Sequence, residues 1–310
     1  MLNDLQSVSD NLVVIDAGDM LFKVPRPREI NKEAAPSKMD LLIRAYNEIG
    51  YDAYNIGIND LALGTDFLRE FESRAQFPFI SANIVDDDGK PIFTPYTIIK
   101  RNGAKIGIVG VTTGNSHVDG VSYKPVLEAA RELQQVLRHK TDILILMASV
   151  FNPDAKAIQD SDLEYDLIFR THTSRFSRYA TEMNTGYYIE TGKEGKYLHF
   201  VTVHQEVPSA SLVNVSRENQ RLDFIERRLK ELQGTSGDKS LEEVYADNQP
   251  TLDFIHNLQD QKTELQNKIE ASKNYMAIEV QSLGKSIQDS PKWLEEVKQF
   301  NSFYNSLETQ

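Results

Sequence analysis

Asn11-Leu12-Val13-Val14-Ile15-Asp16-Ala17-Gly18-Asp19 decides how the chain is read. Its apolar residues run without alternation into Asp16, the pattern of a strand buried on both faces of a covered sheet. The Ala17-Gly18 step is a tight turn. It presents Asp19 at the C-terminal end of that strand, where open α/β sheets build their sites. Gly-Asp is also ordinary turn and cap chemistry, so the role of Asp19 depends on the residues that the rest of the chain brings to it.

Strand and helix patterns alternate from there. Residues 20–36, with Pro25, Pro27 and Pro36, read as a loop. Residues 37–49 read as a helix capped by Ser37, with Met39, Leu42, Ile43 and Tyr46 at helical spacing and Gly50 as its end. Strands come next at 51–56 and 79–84, with a helix over 65–75 between them. Residues 96–100 and 105–111 form a hairpin about Arg101-Asn102-Gly103. A helix over 125–140 leads to buried strands at 143–147 and 165–169, and strands at 187–190 and 197–203 complete the region. Mixed hairpins and crossover helices predict an α/β fold, a layered α/β sandwich over residues 1–205.

Beyond about Glu206 the pattern becomes mainly helical. Leu222, Ile225, Leu229 and Leu232 step by three and four, and after a break at 234–238 the pattern resumes with Leu252, Ile255, Leu258, Leu265 and Ile269, Lys262 standing in the seam. Two such segments joined by a short break predict an antiparallel helical hairpin within a C-terminal region at 206–310. Residues 274–283 read as a strand and 291–307 as a last helix.

Composition excludes several classes. A net charge of −12 over 310 residues argues against a phosphate-backbone binder. No apolar run reaches the roughly 20 residues that span a bilayer. Residues 1–7 carry neither a basic nor an apolar leader segment. With no cysteine, the chain has no disulfide, no thiolate metal site and no c-type haem attachment.

Five stretches in fixed order resemble the calcineurin-like metallophosphoesterases, specifically the catalytic domain of the 5′-nucleotidase family. They are Asp16-Ala17-Gly18-Asp19; Gly50-Tyr51-Asp52-Ala53 before Gly57-Ile58-Asn59-Asp60; Phe77-Pro78-Phe79-Ile80-Ser81-Ala82-Asn83-Ile84; Gly89-Lys90-Pro91-Ile92-Phe93-Thr94-Pro95-Tyr96; and Lys105-Ile106-Gly107-Ile108-Val109-Gly110-Val111-Thr112-Thr113. The resemblance implies two divalent cations that share a carboxylate, polarise a phosphate and activate water. Asp19 then matches the bridging aspartate and His172 a ligand histidine. Gly57-Ile58-Asn59-Asp60 stands where the family has Gly-Asn-His-Glu, Ser149 where it has a histidine, and Arg170-Thr171-His172-Thr173-Ser174 where it has Gly-Gly-His-Thr-His. The family's first strand, with its Asp-x-His pair, would precede residue 1. Asp19 and His172 are thus vestigial metal ligands, and no cofactor is expected.

Three functions remain open on this reading. The first is a catalytically inactive scaffold or protein-interaction subunit, placed in the periplasm or bacterial cell envelope by the resemblance. It would hold a protein partner or a second copy through Leu222, Ile225, Leu229, Leu258, Leu265 and Ile269. The second is a divergent metal-dependent phosphoesterase using Asp60 and Asn59 with Mn or Zn. The third is an anion or small-molecule binder using Arg170, Arg175 and Arg178 around the old cleft. The structural alternatives are a satisfied histidine at 172, a cap at Asp60, solvated arginines and an ordinary hairpin core.

Overall fold

The computed structural model describes residues 11–114, 118–207, 210–234 and 239–308. Residues 1–7 and most of the break at 234–238 lie outside them. Two compact units form: one ends at Leu198 and resumes at Gln281, and the other runs from His199 to Val280.

The first unit contains two main sheets and a two-stranded one. In the smaller main sheet, β1 (Ile15–Asp16), β2 (Ala53–Asn55) and β3 (Phe79–Ile80) run parallel in that order, with Ile15 opposite Ala53 and Tyr54 opposite Phe79. The larger comprises β5 (Tyr96–Arg101), β6 (Ala104–Thr112), β8 (Ile143–Ser149), β9 (Leu167–Thr171), β10 (Thr181–Glu182) and β11 (Tyr187–Glu190), in the order β10-β11-β9-β8-β6-β5. Its four central strands are parallel, and all seven residues of β8 are buried. That burial on both faces is why the segment reads as an unbroken apolar run. Helices α1 (Glu29–Ile49) and α2 (Gly64–Glu72) cover the smaller sheet with Met39, Ile43, Leu68 and Phe71. Helices α3 (Val126–Leu137) and α4 (Asn152–Gln159) cover the larger with Val126, Ala130, Leu137 and Ile158. The result is a layered α/β sandwich.

Two expectations need correction. Helix α1 starts at Glu29, not Ser37, and carries Pro36 in its interior. Proline removes one backbone donor and disfavours a helical interior, but Ala34, Ala35, Met39 and Ile43 bury a continuous face that offsets the loss. Gly50 ends the helix as expected, at φ 77° with its N–H on Tyr46 O at 2.9 Å. The strand expected over 79–84 divides. Phe79 and Ile80 pair with β2, whereas β4 (Ile84–Val85) pairs antiparallel with β7 (Ser122–Tyr123).

In the second unit, β12 (Tyr197–Gln205), β14 (Asn274–Ser282) and β13 (Val213–Asn214) form a sheet in that order, with the stretch of β12 before His199 belonging to the first unit. Helix α5 (Ser216–Gln233) lies against α7 (Gln249–Glu270), with the one-turn α6 (Leu241–Val244) between them in sequence. Pairs Glu218–Lys268 and Glu226–Lys262 run in opposite directions along the chain, as an antiparallel hairpin requires. Pro250 stands in the first turn of α7, where its missing N–H costs no helical bond. The last helix, α8 (Pro291–Glu308), packs on α1 in the first unit.

Asn55 ties the two main sheets of the first unit together. Fully buried, it donates from Nδ2 to Ala17 O at 3.0 Å and to Val111 O at 3.2 Å. A Cβ on Gly110 would overlap its Oδ1, so β6 can approach only as glycine. Asn55→Ala removes a donor from each of two carbonyls, Ala17 O keeping the Thr171 hydroxyl, and should destabilise the protein by about 1–3 kcal/mol. Urea unfolding should show a lower midpoint at unchanged slope. A loss below about 1 kcal/mol would mean that the sheets hold together without this residue.

Candidate functional site

The strand ends of the sandwich converge on Asp19. Gly18, at φ 112°, turns the chain out of β1 where a side chain would meet Asn55 O at 2.8 Å and Gly57 N at 2.9 Å. Asp19 comes next at φ 68°, a left-handed conformation that non-glycine residues adopt rarely and chiefly where surrounding contacts enforce it. Those contacts are present. Its Oδ2 accepts from Ser149 Oγ, at the end of β8, at 2.9 Å and lies 3.0 Å from Nδ1 of His172, just past β9. Its Oδ1 accepts the Asn59 N–H at 2.8 Å, and Gly57 has no side chain because a Cβ there would overlap that oxygen. His172 also has positive φ, 60°, and Phe151 packs edge-on to its ring at 4.5 Å between centroids.

Asp60 lies beneath this cluster. It is fully buried and accepts from the N–H groups of Asp19 and Gly57 at 2.9 Å each, from Leu21 N–H at 3.2 Å and from the Tyr54 hydroxyl. Burial, followed by the Asp19 carboxylate, pushes its carboxyl up to about 7 against the pull of those donors. Asp16 is raised as well, mainly by burial, while Tyr46 donates to it at 2.6 Å. Asp60 is therefore neither a solvated cap nor a group open to the cleft.

The remaining residues divide sharply. Ile58, at a ligand position of the family motif, is fully buried. Asn59 is buried too, and its Oδ1 has no hydrogen-bond partner among the described residues. Arg170 is buried, and the anion it meets is a carboxylate of the chain itself. Its guanidinium turns inward, with Nη1 3.0 Å from Glu190 Oε1, Nη2 donating to Asn152 Oδ1 at 2.6 Å and Nε to Val150 O at 3.3 Å. Arg175 and Arg178 remain exposed on the following loop, so the three arginines form no common site. In the hairpin, Ile225 and Leu258 are fully buried and Leu222, Leu229, Leu265 and Ile269 half-buried. The seam closes on itself, and the exposed apolar residues of α5 and α7 are instead Phe224 and Phe254.

This donor set does not fit the cation pair that the resemblance implies. Hard divalent cations need several free oxygen or imidazole ligands converging on one point. Both Asp19 oxygens already face protein donors, and no group of three or more His, Asp or Glu side chains among the described residues could hold an ion. Among the described residues, Asn59 Oδ1 and Asn55 Oδ1 are buried amide oxygens with acceptor capacity to spare.

The raised Asp60 carboxyl has a pH signature. In the unfolded chain it titrates near the ordinary value of about 3.9, so between about pH 4 and 7 the folded protein holds a proton that the unfolded chain has lost. Stability should therefore fall as pH rises through that window. In denaturant titrations at about pH 5 and pH 8, the wild type should lose up to a few kcal/mol that Asp60→Asn does not lose. Parallel profiles for the two proteins would remove Asp60 as the cause.

No family model matches the chain. The 5′-nucleotidase of Vibrio cholerae is 28% identical over 152 residues, 46% of this chain and 26% of that protein. Protein UshA of Salmonella pullorum is 34% identical over 144 residues, 43% of this chain and 25% of its own length. The chain thus matches about a quarter of the length of these curated relatives. Among solved structures, the calcineurin-like phosphoesterase YfkN of Bacillus subtilis superposes with a TM-score of 0.65 at 16% identity, over 99% of this chain and 87% of that one. The 5′-nucleotidase precursor of Thermus thermophilus gives 0.53 at 16% identity, over 68% and 46%. The α/β sandwich of this chain has the fold of the calcineurin-like phosphoesterases and is similar in sequence to part of the 5′-nucleotidases.

Proposed function

We propose that this domain is a catalytically inactive member of its family, retained as a scaffold or protein-interaction subunit of a bacterial envelope assembly. The observation that carries the reading is the state of Asp19. The carboxylate matching the bridging ligand is held by the Ser149 hydroxyl, the Asn59 N–H and the His172 imidazole, all supplied by the chain. Those donors take up the negative charge that a cation pair would otherwise neutralise. Ile58 supports the same reading, because an aliphatic side chain cannot ligate a metal.

The C-terminal region at 206–310 is the proposed docking element, for a protein partner or a second copy. Its exposed aromatic residues Phe224 and Phe254 are better suited to that role than the seam leucines, which the hairpin itself buries. No helix among the described residues is long and apolar enough to cross a membrane. A working hydrolase has one observation in its favour, the unpartnered Asn59 Oδ1, which could serve a single Mn or Zn ion beside Asp19 and His172.

Metal content decides between the two. After exposure to Mn²⁺, Zn²⁺ and Ca²⁺ and desalting, elemental mass spectrometry should find well below one ion per chain, and generic phosphoesters should turn over no faster with the wild type than with Asp19→Ala. Stoichiometric Mn or Zn that disappears in Asp19→Ala or His172→Ala, with hydrolysis lost in parallel, would establish the divergent phosphoesterase instead.

A further inference from the structure

Helix α8 is attached to the sandwich in an unusual way. None of its residues is fully buried, although its arc of Trp293, Phe300, Tyr304 and Leu307 faces α1. The polar contacts run along its whole length. Lys292 pairs with Glu48, which also accepts from Trp293 Nε1 at 3.0 Å; Glu296 meets Arg44 at 2.9 Å; Tyr304 donates to Asn31 at 2.8 Å; and Arg28 lies 3.9 Å from Glu308. Between the helices runs a groove of about 430 Å³ walled by Pro36, Leu41, Phe300 and Phe303. Val297 and Phe303, on the two flanks of the arc, are 42% and 38% exposed.

We propose that α8 is an ionic strap, a helix of this chain that docks reversibly on α1 and detaches without unfolding the sandwich. Solvent-exposed ion pairs are individually weak and screened by salt. A helix with no fully buried residue adds little apolar burial to them, and segments of that kind open below the global unfolding free energy. The segment before α8, residues 283–290, is irregular and largely exposed, so it can absorb the motion. Detachment would uncover the α1 surface around Pro36 and Leu41. It would also free an amphipathic helix whose aromatic residues already fit that surface, the geometry of helix-in-groove recognition. None of this depends on whether the Asp19 site holds metal.

The chain has one tryptophan, Trp293, and it sits in the contact, with the Arg44 guanidinium 5.9 Å from its ring centroid. Its emission therefore reports docking directly. Raising NaCl to about 1 M, where the screening length is about 3 Å, should shift the emission to the red while far-UV circular dichroism and the melting temperature hold. Glu48→Gln, an exposed substitution that weakens both contacts made there, should give the shifted emission already at low salt. Hydrogen exchange of the α8 amides should be at least about a hundredfold faster than that of β8, and faster still in that variant. If Trp293 emission changes only together with global unfolding, or α8 exchanges as slowly as β8, α8 is an integral layer of the fold and the strap does not exist.

Discussion

Four loops of the sandwich are held by one carboxylate. Asp19 collects the end of β8 through Ser149, the loop after β2 through Asn59, and the end of β9 through His172, while its own N–H fixes Asp60 below. A half-buried anion needs such donors, because an ionised carboxylate without partners is expensive to remove from water. Here it receives them from backbone and side chains anchored on different strands. Burial, and after it the same carboxylate, raises Asp60. The donors gathered around each of the two carboxyl groups are the chain's solution to placing them side by side.

That solution constrains the backbone around it. Gly18 and Gly57 have no side chains because the two loops touch there, and Asp19 and His172 both accept left-handed conformations. Strain of this kind persists only where neighbouring contacts over-determine it, and it concentrates where a fold was built to present side chains. The hydroxyl, amide and imidazole groups that meet at this junction all come from the chain itself.

Much of this is legible in the residues. The unalternated runs at 143–147 and 165–169 mark central strands, and Asp19 and His172 stand out by motif, although no motif announces the 3.0 Å contact between them. Local rules fail where tertiary burial outweighs them. Pro36 signals a loop, but Ala34, Ala35 and Met39 bury enough apolar surface to carry a helix through it. Arg170 reads as a cation facing a cleft, whereas its partners Asn152 and Glu190 lie 18 and 20 residues away and no local pattern betrays them. The pairing of Ser149 with Asp19 spans 130 residues, so both residues can be picked out in the sequence while the bond between them leaves no sign there.

The contrast between the Asp19 cluster and α8 arises from burial. Around Asp19 the charges are screened from water, so each hydrogen bond weighs more and losing one partner leaves a buried group unpaired. Along α8 the charges face solvent, where the same atoms at similar distances contribute little and yield to salt. A distance near 2.9 Å links Ser149 to Asp19 and also Arg44 to Glu296. The first contact is built into a junction of strands and cannot open without parting them. The second joins two surface helices, and it can open while every strand of the sandwich stays in place.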